Sequence, residues 1–184
     1  MRSYKVLDKQ VFTNGEYSIV PIRNEDRYAI MNWRNEQIYH LRQAEPLTEE
    51  QQNLYFSTVI SSLFDQKKPN QILFSFLKKG KCIGYGGLVH INWVDKNAEI
   101  SFIMDTQLEK EYFRDLWTEY LRLIEEVAFE ALKLHKLYVY AFDIRPHLYN
   151  ALTSNDYFLD ATLKGHCFFG DKFIDVVIHS KIRN

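Results

Sequence analysis

Apolar and polar side chains alternate through residues 16–22, EYSIVPI, a run rich in β-branched residues, and a strand is predicted there. Asn24 is placed to cap a helix reaching about residue 35, with Tyr28, Ala29, Met31 and Trp33 available for packing. Residues 37–47 read as a loop or broken helix. A stronger helix start follows, because Thr48 and Gln51 stand at capping-box spacing and Glu49 and Glu50 suit the positive end of the helix dipole. Leu54, Tyr55, Val59 and Leu63 continue one face toward Asp65. Two strand-like runs then meet at Lys79-Gly80, a hairpin signal. Gly84, Gly86 and Gly87 inside the second run imply a bulge or a close backbone approach. After the turn VDKN a strand is predicted over residues 98–104. Leu116, Tyr120, Leu123, Ile124, Val127, Ala131 and Leu134 recur at helical spacing and predict the longest helix, from about residue 108 to 133. KLYVYAFD is nearly continuous in apolar character, the pattern of a central strand. Pro146 suits the first turn of another helix, and Gly170-Asp171 marks a closing hairpin. Strands and helices interleave, so the fold class is α/β, in one domain over residues 1–184.

Composition narrows the partners more than the fold. The net charge of -1 gives no general reason to bind nucleic acid, and Lys and Arg never run longer than two residues. Cys82 and Cys167 lie far apart in apolar strand-like contexts and read as two reduced thiols. No His/Cys spacing suggests a metal. The N-terminal MRSYKVLDKQVF is too polar for a signal peptide, and no apolar run reaches membrane-spanning length. A cytoplasmic protein without membrane or nucleic-acid partners is expected.

The order strand, two helices, three antiparallel strands, long helix, strand, helix and hairpin resembles the GNAT superfamily of N-acetyltransferases. The fragments GYGGLVHI, NAEISFIMD, VAFEALKLHKLYVYAFD and GHCFFGDKFIDVVIHSKI carry the resemblance, in that order. They look most like the branch of ribosomal-protein, spermidine and amino-sugar N-acetyltransferases. The resemblance implies a mixed sheet of about six to seven strands flanked by about four helices. It also implies acetyl-CoA as co-substrate, a small-molecule amine as acceptor, no metal, and direct attack of the amine on the thioester. In such a fold two central strands splay apart. The pantetheine arm lies along the freed backbone like an added strand, and the pyrophosphate meets the next helix start. Pairing through exposed strand edges makes a homodimer possible in this family.

One departure is plain: no glycine stands between Gly87 and Gly165, although the family usually has a glycine-rich turn before the long helix. Glycine lets phosphate oxygens approach the backbone. Here that turn lies within LEKEYFRDLW, so the donor site is expected to use Ile100, Phe102 and Ile103 on the strand, and Lys110, Tyr112, Phe113 and Arg114 at the helix start. Two rival readings follow from the lost glycines: a non-catalytic ligand-binding protein, and an acyltransferase fed by an acyl-carrier protein. Glu99 is the base candidate, His90 on the neighbouring strand a second, and Tyr149 the acid for the leaving thiolate, one turn before the position where the family places a tyrosine. Trp33, Arg34, Asn35, Arg42 and Trp93 are the acceptor-binding candidates, since paired arginines bind a diphosphate or carboxylate and tryptophan stacks on a ring. An amino-sugar nucleotide suits these groups better than a polyamine, which calls for an acidic pocket.

Overall fold

The computed structural model of the chain describes residues 2–183. Strands β1 (Phe12–Asn14) and β2 (Tyr17–Pro21) precede helix α1 (Arg27–Glu36). Helix α2 (Glu49–Tyr55) runs on through a π-helical stretch, Phe56–Ile60, into Ser61–Leu63. Then come β3 (Ile72–Lys78), β4 (Lys81–Asn92), β5 (Asn97–Met104) and the long helix α3 (Thr106–Glu125), which continues as the π-helical stretch Glu126–Ala131. The chain closes with β6 (Lys136–Phe142), α4 (Pro146–Thr153), β7 (Phe158–Phe169) and β8 (Lys172–Ile182). Among the described residues these form one eight-stranded sheet in the order β1-β2-β3-β4-β5-β6-β8-β7. The strand beyond the expected count is β1, three residues long and too short to show alternation.

Local chemistry explains the elements that position the site. The capping box of α2 is complete: Thr48 accepts from the Gln51 N–H, and the Gln51 side chain accepts from the Thr48 N–H. The α1 start differs from expectation. A short 3-10 turn at Asn24–Asp26 precedes the helix, and no side chain caps it. Instead Asp26 is clamped by Arg23, whose Nε and Nη2 donate to its two oxygens at 2.7 and 2.8 Å. Both hairpin turns place their two central residues at positive φ, Lys79 and Gly80 at 50° and 81°, Gly170 and Asp171 at 56° and 62°.

Aromatic rings pack closely where α3 crosses the sheet. Phe102 stacks on Tyr120 with centroids 3.8 Å apart, and Trp117 meets the same ring edge-on at 5.1 Å. Gly86 makes this approach feasible. A Cβ there would stand 2.1 Å from the Ser101 carbonyl oxygen and 2.6 Å from the Tyr120 hydroxyl. The neighbouring Gly87 is as constrained, its Cβ falling 1.9 Å from the Ile72 carbonyl oxygen. These glycines serve close backbone approach, as their place inside a strand suggested. Among the described residues no helix is long and apolar enough to cross a membrane.

Candidate active site

β5 and β6 run parallel but stay together for three residue pairs, Asn97–Lys136, Ala98–Leu137 and Glu99–Tyr138. Beyond them the strands continue to Met104 and Phe142 without pairing to each other. Each strand is held on its far side, β5 by β4 and β6 by β8, so the splay leaves one free backbone edge on each. A cleft of ≈ 110 Å³ occupies this gap, lined by Glu99 to Ile103 from β5, Val139 to Phe142 from β6, and Trp117, Arg145 and Leu148 from the helices. An extended arm with amide groups fits between such edges as a strand would.

A larger cavity of ≈ 640 Å³ opens behind β5, between β4 and the first two helices. Its walls include Gln51, Tyr55, Gln71, Tyr85 and His90, and it shares Arg34, Leu41, Arg42 and Ser101 with the cleft. The two spaces therefore meet beside Ser101, on the face where alternation also puts Glu99.

Glu99 is the carboxylate at that junction. It is 6% exposed; its Oε1 accepts from Arg42 Nη2 at 2.6 Å and its Oε2 lies 3.8 Å from His90 Nε2. Burial raises its pKa above the ordinary carboxylate value, against the opposing pull of Arg42 and His90. His90 reaches it through a backbone irregularity. The β4–β5 register shifts between Val89 and Asn92, and His90 has a φ of 51°, so the simple alternation that would group it with Leu88 and Asn92 is broken. Arg34 lies deeper, its Nη1 donating to the Tyr85 hydroxyl at 2.6 Å and its Nε to Gln43 Oε1 at 3.0 Å.

A family model described as an acetyltransferase (GNAT) domain matches residues 19–175. The chain belongs to the GNAT acetyltransferases. It is an enzyme of acyl transfer. Among solved structures, the spermidine N-acetyltransferase from Vibrio cholerae in complex with CoA and spermine is similar at a TM-score of 0.78, with 17% identity, covering 92% of this chain and 96% of that one. Mutant forms of the spermidine/spermine N-acetyltransferase SpeG from Vibrio cholerae match at 0.73, with 19% identity and coverage of 92% and 95%. At such identities the likeness is one of fold.

Several expected residues of this GNAT domain fall together. Ile100, Phe102 and Ile103 line the cleft, Arg34 and Arg42 border both spaces, and Glu99 and His90 face each other. Others fall elsewhere. Trp33 is buried in the core, and Trp93 donates its ring N–H to the Pro69 carbonyl at 2.9 Å; neither lines a cavity. Asn35 pins the loop before α2, exchanging hydrogen bonds with the Leu47 N–H at 2.7 Å and carbonyl at 2.9 Å. Tyr149 is not at the cleft. One helical step beyond Leu148 turns it toward β8, where it stacks on His179 at 5.1 Å and donates to Asp143 at 2.8 Å. The tyrosine bordering the cleft is Tyr140, beneath the Arg42 guanidinium at 4.6 Å and paired with Cys167 Sγ at 3.2 Å.

The start of α3 departs most from expectation. Asp105 caps it, accepting from the Gln107 and Leu108 N–H groups at 2.9 and 3.2 Å. Those two donors are thereby taken. The helix then breaks at Tyr112, which has φ -130° and ψ 24° inside the segment. Lys110, Tyr112 and Arg114 are exposed around that kink, Arg114 donating to Ser154 Oγ at 3.2 Å, and Phe113 packs on His147 at 4.4 Å. None of the four lines the cleft. Arg145 lines the cleft, and Glu109 from α3 pairs with it at 3.3 Å.

Proposed function

We propose that this GNAT enzyme moves the acetyl group of acetyl-CoA onto a primary amine carried by an anionic small molecule, with a nucleotide-linked amino sugar as the acceptor class. The observation that carries this reading is the lining of the ≈ 640 Å³ cavity: two arginines, one histidine, and no carboxylate among its described residues. The similar Vibrio cholerae enzymes are named for spermidine and spermine, which carry several positive charges. Arg34 and Arg42 would repel such an acceptor and attract a diphosphate or carboxylate. Gln51, Asn70 and Gln71 on the same walls offer neutral hydrogen bonds suited to sugar hydroxyls.

In this reading the amine enters from the large cavity and meets the thioester beside Ser101. Its nitrogen attacks the acyl carbon, the C–N bond forms and the C–S bond breaks. Glu99, ionised above its raised pKa, accepts the ammonium proton, with Arg42 and His90 holding it in place. Tyr140, kept protonated because burial and Cys167 push its pKa up to about 12, is positioned to return a proton to the leaving thiolate.

The test is a thiol-release assay with acetyl-CoA against three acceptors: a nucleotide-diphosphate amino sugar, spermidine, and a peptide with a free N-terminus. The expected result is turnover of the first, with Arg34→Gln raising its KM at least tenfold through loss of a charge-assisted contact worth about 1.5–3 kcal/mol. Preferential turnover of spermidine would overturn the acceptor assignment.

A further inference from the structure

The cleft opens between the ends of β5 and β6, and Arg145 on its wall is met by Glu109 from α3. Arg145 follows β6 at the N-cap of α4, while Glu109 sits in the first turns of α3. Both are nearly buried, their side chains 9% and 10% exposed, and Arg145 lines the cleft. Their contact is poor for so enclosed a pair. A single hydrogen bond runs from Arg145 Nη1 to Glu109 Oε1, at 3.3 Å, whereas well-made charge-assisted bonds are about 2.7–2.9 Å. No parallel second bond completes a fork, although a guanidinium carries about five N–H donors.

The surroundings add little. His40 Nε2 lies 4.0 Å from the same Glu109 oxygen, but burial and the Arg145 charge push its pKa down to about 3, so it is neutral. Tyr39, His147 and Tyr149 also face the pair, and none supplies a second ion at neutral pH. Burial raises Glu109 and lowers Arg145, each against the other's attraction, as expected when an ion pair incompletely offsets its desolvation. At the start of α3, Asp105 already accepts from the Gln107 and Leu108 N–H groups.

We propose that Arg145 receives the pyrophosphate of the donor in place of a glycine-rich turn, and that Glu109 is its stand-in, bridging the mouth of the cleft until the donor displaces it. This rests on the acetyl-CoA reading above. A pyrophosphate presents several oxygens and more charge than one carboxylate, so it engages both arms of the guanidinium fork where Glu109 engages one. The displaced Glu109 then turns out toward solvent beside Lys110. The loss of the glycines is tolerated because the phosphate contact has moved across the cleft, from α3 to α4.

The experiment compares Kd for CoA and for pantetheine, which lacks the pyrophosphate, on the full chain and on Glu109→Gln and Arg145→Lys, with a melting curve for each. Glu109→Gln is expected to tighten CoA roughly tenfold by removing the charged competitor, and Arg145→Lys to weaken it roughly tenfold by losing the fork while keeping the charge. Pantetheine should bind all three proteins alike. Equal changes for both ligands, or weaker CoA binding to Glu109→Gln, would overturn the inference. Binding of pantetheine with no gain from the nucleotide half in Glu109→Gln would overturn it while leaving the thioester reading intact. Binding of neither ligand to any protein would remove both.

Discussion

Glu99 is the base in the proposed reaction, and its environment fixes the sign of the pH dependence expected for that role. Burial raises its pKa, so the basic form is lost at a higher pH than for an exposed carboxylate, about 4.3. Activity should therefore rise with pH through an acid limb above that value. Glu99→Gln is expected to remove this limb and lower kcat by about 10²–10⁴, the usual range for a general base. A pH–rate profile that keeps the same limb in the variant would exclude the role. Its place beside Ser101 was legible from alternation, because a lone acid within an apolar strand has one face to occupy. Which tyrosine borders the cleft was not. Tyr149 and Tyr140 are equally tyrosines in a sequence with many, and only the rotation of α4 and the splay of β6 decide which borders the cleft. Trp33 and Asn35 show the same difficulty. Their side chains suit recognition, but core packing and the Leu47 staple claim them.

At the scale of elements, β2 followed from period-2 alternation, β6 from its continuous apolar run, the α2 start from its capping box, and the β3–β4 and β7–β8 hairpins from their glycine-containing turns. What the pattern did not hold was interruption. The π-helical stretches of α2 and α3, the kink at Tyr112 and the bulge at His90 keep the same residue types while changing where they point. The glycines of β4 were read correctly because their requirement is steric. Gly86→Ala puts a methyl group against the Ser101 carbonyl and the Tyr120 hydroxyl. We expect a loss of about 1–3 kcal/mol or more in urea denaturation, together with lost activity as Ser101 shifts at the cavity junction. A variant with wild-type stability would mean that β4 and β5 can part without cost. The start of α3 is held by its own cap rather than by a ligand. That helix start is stabilised for its own sake, by about 1 kcal/mol for a typical cap, and its donors are already committed.

For the whole molecule, the sheet brings two spaces together that no single segment encodes. The cleft exists because β5 and β6 part after Glu99–Tyr138, and the larger cavity because α1 and α2 stand off β4. Their shared wall of Arg34, Leu41, Arg42 and Ser101 makes transfer between them geometrically direct. The measurement that tests this arrangement is a calorimetric titration with acetyl-CoA of the intact chain and of Ala141→Trp, which fills the splay from the β6 side. The account predicts micromolar binding to the intact chain and none to a folded Ala141→Trp. Undiminished binding to that variant, or no heat from the intact chain at millimolar ligand, would contradict it.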